Sequence, residues 1–98
     1  MMRVELHPKA ISDILQIMEY YEQVATAELA EEFYQELSRC VQKTSERPGL
    51  YKVHRGGLRR VNLHRFPYHL LFREVDDSIR VLVIRHHRRH PSFGRRRN

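Results

Sequence analysis

Near the end of the chain runs His86-His87-Arg88-Arg89-His90-Pro91, a cluster of three histidines and two arginines. Imidazole exchanges a proton near neutral pH, and guanidinium steadies charge developing on a phosphate. Together they are the side-chain types that cleave RNA by acid–base work on the ribose hydroxyl. The plainer reading is a basic strand end that recognises an anion without chemistry. Residue types alone favour it, because a linear sequence does not establish convergence. A metal site built from His86, His87 and His90 fits poorly, since the neighbouring cations oppose a bound metal; none is expected.

A second set is Arg59, Arg60, Arg65, Arg73, Arg80 and Arg85. Guanidinium forks grip phosphate or carboxylate with two bonds, so an array of them on a sheet can track an anionic partner. Strand alternation sends neighbours to opposite faces, so the six cannot all act together. Arg59, Arg65 and Arg85 are expected to converge near a groove. Tyr68 and Phe93 are the candidate base-stacking aromatics, whereas Phe66 and Phe72 read as strand core. Cys40, the one cysteine, reads as a packed free thiol.

The elements that must carry these residues follow from periodicity. Arg3-Val4-Glu5-Leu6-His7 alternates like a strand, and Pro8 opens a helix. Ile11, Ile14, Leu15, Met18 and Tyr21 lie on one helical face. Thr26 caps a second helix with Ala30, Phe33, Leu37, Val41 and Thr44 on its face, ended by Arg47-Pro48-Gly49. So short a link predicts an antiparallel helical hairpin. Beyond residue 50 the period becomes 2. Val61 and Leu63 mark a strand, Arg65-Phe66-Pro67 a turn, and Tyr68–Phe72 a second strand. Asp76-Asp77-Ser78 is a turn, and Ile79–Ile84 an apolar strand that suits a central, covered position. The expected fold is α+β: an N-terminal strand, then a helical hairpin packed on one face of a mainly antiparallel four-stranded sheet, in the order β-α-α-β-β-β.

Length and charge set bounds. At 98 residues the chain is one domain spanning 1–98, with 92–98 expected as a flexible basic tail. Residues 1–50 hold five Lys/Arg against nine Asp/Glu, a charge of −4. Residues 51–98 hold thirteen against three, a charge of +10, and six of the seven histidines. Such segregation points to an anionic partner, either nucleic acid or an acidic protein segment. A lone cysteine excludes an internal disulfide, and no apolar run has the length of a membrane span or signal. A cytoplasmic protein with no cofactor and no membrane partner is expected.

The order β-α-α-β-β-β, the strand pair Leu58-Arg59-Arg60-Val61 and Phe66–Arg73, and the ending Ile79–Pro91 resemble the RelE/ParE toxin superfamily. The likeness runs from Val4 to about Phe93 and is most specific over Phe66–Pro91. Pro8-Lys9-Ala10-Ile11-Ser12-Asp13-Ile14 is similar to the family's first helix. The resemblance implies a type II toxin–antitoxin toxin that inhibits growth, of the kind associated with plasmid stabilisation. It implies a cognate antitoxin with an acidic or amphipathic segment, in a toxin–antitoxin hetero-oligomer. ParE-like members inhibit DNA gyrase; RelE-like members cut mRNA on the ribosome. At the places where RelE-like toxins hold their working residues stand Arg59 or Arg60, then His69, then Arg89, then Phe93 or Arg95. The last two carry no phenol, and the His-Arg-Arg-His-Pro ending looks closer to ParE. The expected function is therefore ParE-like, with Arg59, Arg60, Arg65, Arg85, Arg88 and Arg89 contacting the target. A ribosome-dependent endoribonuclease is the alternative, with His69, His87, Arg89 and His90 as its candidate catalytic residues. A small non-toxic nucleic-acid-binding module is the third reading.

Overall fold

His7 and Pro8 turn the first strand into the first helix. β1 spans Arg3–Leu6, and α1 spans Pro8–Val24 with Pro8 in its first turn and His7 Nδ1 accepting the Lys9 N–H at 3.0 Å. The structure, a computed structural model, describes residues 1–98. α2 spans Ala27–Glu46, and Thr26 Oγ1 caps it by accepting the Leu29 N–H at 3.0 Å. Short 3-10 turns at Pro48–Leu50 and Arg55–Gly57 lead to β2 (Arg59–Asn62), β3 (Tyr68–Val75) and β4 (Ser78–His86). The sheet order is β1-β4-β3-β2, parallel at β1–β4 and antiparallel elsewhere. The sheet is thus mixed, and β4 is the long central strand that its apolar run demanded.

The helices cover one sheet face. Ala10, Ile14, Ile17, Phe33 and Leu37 meet Val61, Leu70, Phe72, Ile79, Val81 and Ile84 in the main core. Tyr21, Phe33, Phe66 and Tyr68 join in ring contacts with centroids 5.5–6.3 Å apart, edge-on except for the tilted Tyr21–Phe33 pair. The expected face of α2 holds, with Val41 at its partly buried margin. That of α1 is rotated: Ile11 and Leu15 are 44% and 61% exposed, while Ala10, Asp13 and Ile17 are buried. The cause lies at Asp13, whose carboxylate accepts the Ile84 N–H of β4 at 3.1 Å and draws its own stripe, with small Ala10, onto the sheet.

The register between β3 and β4 slips once, where Leu71 faces Val83 but Phe72 faces Val81. Leu82 is the extra residue, a β-bulge. It reverses the alternation of β4, so that Val81 and Ile84 both point to the helices. Val83 and Arg85 turn to the opposite face, beside Leu71 and His69. That second face is covered by the C-terminal segment. Phe93 packs on the buried cluster of Leu58, Leu71, Leu82 and Val83. Arg97 closes the segment with two bonds to Asp13, at 2.6 and 3.2 Å, and one to the Leu82 carbonyl at 3.0 Å. The residues expected to form a flexible tail are placed here as a strap, because a buried carboxylate needs a counter-charge. No helix is long and apolar enough to cross a membrane.

Candidate functional site

The bulge at Leu82 puts Arg85 next to His69, and a bonded cluster grows from that pair. His69 is only 2% exposed, and its Nε2 accepts from Arg85 Nε at 2.8 Å. A neutral ring with an accepting Nε2 carries its proton on Nδ1. That Nδ1–H faces His87 Nδ1 at 3.0 Å, with the two rings within 6° of parallel. His87 Nδ1 therefore accepts, and Arg60 Nη2 lies 3.4 Å from the same atom. Burial, followed by the charges of Arg60 and Arg85, pushes His69 down to about 3, so the buried ring is neutral at cellular pH. Partial burial and Arg60 also lower His87.

This wiring limits the chemistry. A general base needs a free lone pair aimed at substrate. His69 has both ring nitrogens engaged, and His87 has its lone pair turned inward. His86 Nδ1 accepts the Arg88 N–H at 3.0 Å. His90 Nδ1 accepts the Ser92 N–H at 3.2 Å and lies 2.7 Å from Ser92 Oγ. In their neutral forms, His86, His87 and His90 thus carry their proton on Nε2. Beside the exposed Arg88 and Arg89 they make a donor-only surface, suited to holding an anion rather than abstracting a proton.

The candidate arginines divide. Arg60 and Arg85 share the basic face with His69 and His87. Arg59 instead pairs with Glu74 at 3.1 Å and donates to the Pro48 carbonyl at 2.6 Å. Arg65 pairs with Glu32 of α2 at 3.0 Å, while Glu36 accepts the His64 and Arg65 N–H groups at 2.7 and 3.2 Å. The expected convergence of Arg59, Arg65 and Arg85 does not occur, because the first two are neutralised at separate places by carboxylates from other elements. Arg89 stacks over Phe93 at 4.0 Å and borders a cleft of about 180 Å³ with Tyr20 and Tyr68, between α1 and the end of β4. Neither expected base-stacker is free: Tyr68 is buried in the core, and Phe93 lies between Arg89 and Arg97 over the second cluster. Cys40 is a partly buried free thiol whose pKa burial raises, in keeping with a packing role.

The sequence did not single out His54 or Arg55, and it marked Arg95 only as a place where RelE-like toxins hold a working residue, yet all three line the basic face with Arg60 and Arg85. Their segments have no periodicity to flag them. Residues 52–57 bend through Gly56 and Gly57 at φ 75° and 74°, a path open to glycine. The Asp13–Arg97 pair, 84 positions apart, gives no local signal either.

Comparisons with known proteins agree with this architecture. A chromosomal ParDE TA system from P. aeruginosa has a similar solved structure, with a TM-score of 0.80 and 24% identity, covering 88% of this chain and 96% of that one. At that identity the likeness shows the fold. Curated protein sequences yield no match. Residues 4–91 match the family described as ParE toxin of type II toxin-antitoxin system, parDE. A match across so much of the sequence makes the chain a member of the ParE toxin family.

Proposed function

We propose that the protein arrests growth by binding DNA gyrase through the donor surface at the end of β4, and that a cognate antitoxin neutralises it. The observation that carries this reading is the bonding of the histidines: Nε2 of His69 and Nδ1 of His86, His87 and His90 all accept bonds from within the protein, which leaves Nε2–H donors on His86, His87 and His90. A surface of Arg88, Arg89 and imidazole N–H groups binds by charge and donation, as an inhibitor that makes no bond and breaks none would do. Antitoxin binding is supported at the other edge. β1 has one side unpaired, and Val4 and Leu6 open onto an apolar groove of about 250 Å³ shared with Tyr34 and Val41. Such an edge suits an added strand or an amphipathic helix.

The convergence of Arg60, His69, Arg85 and His87 also gives ribosome-dependent RNA cleavage a foothold, so one experiment should separate the two. Wild type and Arg89→Ala are expressed from a tightly controlled promoter. Growth, mRNA 5′ ends and gyrase–DNA cleavage complexes are then followed. Arrest with intact mRNA and trapped gyrase complexes, weakened in Arg89→Ala, is the expected result. Codon-positioned new 5′ ends would replace gyrase with the ribosome as the target. Unimpaired growth with full-length, soluble protein would overturn the reading.

A further inference from the structure

On the second sheet face, above Leu58 and Leu71, lies a cleft of about 160 Å³ ringed by His54, Arg55, Arg60, Arg85 and Arg95. No carboxylate lines it. The protein's ion pairs use Arg59, Arg65, Arg80 and Arg97, so none of the four arginines around the cleft has an acidic partner. Arg85 commits Nε to His69 and Nη1 to the Pro91 and Phe93 carbonyls, which leaves Nη2 for a ligand. Arg60 commits Nε to Asn62 and Nη2 to His87, which leaves Nη1. Four like charges around so small a volume repel one another, and the repulsion is strongest where Arg85 is withdrawn from water. Burial, with Arg60 and Arg95, lowers the Arg85 pKa, a sign of the same crowding. An anion in the cleft would relieve it.

We propose that this cleft is a phosphodiester site that takes one backbone phosphate of a nucleic acid, gripped by Arg55, Arg60, Arg85 and Arg95 around the buried Leu58 and Leu71. Guanidinium forks match phosphate oxygens in two-bond geometry. Carboxylate would satisfy one fork, but the donors do not stop at the cleft. They continue through His87 to Arg88 and Arg89, and a strip of donors fits a ligand whose charge repeats along its length. The site stands on this geometry and does not depend on whether gyrase is the target.

The test is fluorescence anisotropy of a labelled 20-nucleotide single strand, and of its duplex, against purified protein at several salt concentrations. The double variant Arg55→Gln/Arg95→Gln is compared with Arg39→Gln/Lys43→Gln, which removes the same charge from α2. Circular dichroism confirms that both fold. The cleft double should lose at least about 10-fold in affinity and about one to two units of salt slope, against about 2-fold or less for the control. A neutral methylphosphonate strand should fail to compete. Equal losses in the two doubles would reduce the binding to diffuse charge and overturn the site. So would tight binding of an acidic peptide that displaces the strand while the strand itself binds only weakly, which would make this a carboxylate site.

Discussion

At the scale of single residues the decisive atom is His69 Nε2. Because it accepts from Arg85, the ring must be neutral, and its folded pKa of about 3 lies well below the ordinary imidazole value near 6.5. The unfolded chain therefore binds more protons between these two values, and stability rises with pH across that window. The contribution is fully present above about pH 6.5 and is lost as pH falls toward about 3, with a slope of up to about 1.4 kcal/mol per pH unit. Urea unfolding at pH 7.0, 5.5 and 4.5 should show this loss in wild type and a shallower one in His69→Gln, which cannot titrate there. Identical slopes in the two proteins would mean that the ring is not held neutral. The sequence made His69 and His87 visible as candidates by type. It did not show that their lone pairs face inward, since that depends on a cross-strand neighbour whose facing is set by the bulge.

At the scale of elements, the hairpin and the strands were legible because their periods of 3.6 and 2 are properties of contiguous residues. Two features were not, and both involve partners distant in sequence. The bulge at Leu82 leaves the apolar run Val81–Ile84 unbroken, so periodicity has nothing to record. The C-terminal strap depends on Gly94, whose φ is 76° and where an added Cβ would come within 2.3 Å of Val83, and on Arg97 reaching Asp13 in α1. Glycine is required on both counts, conformation and space. Gly94→Ala should lift the strap from Leu58, Leu71 and Val83. Arg97→Ala should release it by a different route, leaving Asp13 with only the Ile84 N–H. Either change is expected to cost about 1–3 kcal/mol. Faster amide exchange should appear at Val83 and Arg85 before the helices respond. If both variants keep wild-type exchange on β4, the strap contributes no cover.

At the scale of the whole molecule, charge segregation along the sequence becomes charge segregation between layers. The exposed glutamates Glu19, Glu22, Glu28, Glu31 and Glu32 belong to the helical layer. Six arginines without an acidic partner, Arg55, Arg60, Arg85, Arg88, Arg89 and Arg95, belong to the opposite face and the end of β4. Composition alone foretold this polarity but not its internal relief, for Arg59, Arg65, Arg80 and Arg97 are withdrawn into ion pairs that only the fold brings together. A body that is acidic on one side and basic on the other is complementary to its own copies head to tail, an arrangement that adds further copies until a ring closes. Without its antitoxin, the protein should therefore grow in mean mass with concentration at about 20 mM salt, where screening extends over roughly 20 Å. It should return toward monomer near 0.5 M salt, where the screening length falls to about 4 Å. An acidic peptide that occupies the basic face should achieve the same at low salt, by removing one of the two complementary surfaces rather than by screening both. Multi-angle light scattering distinguishes these cases. A clean monomer at every salt concentration would show that the two faces do not meet, and the basic face would then be shaped for its external partner alone.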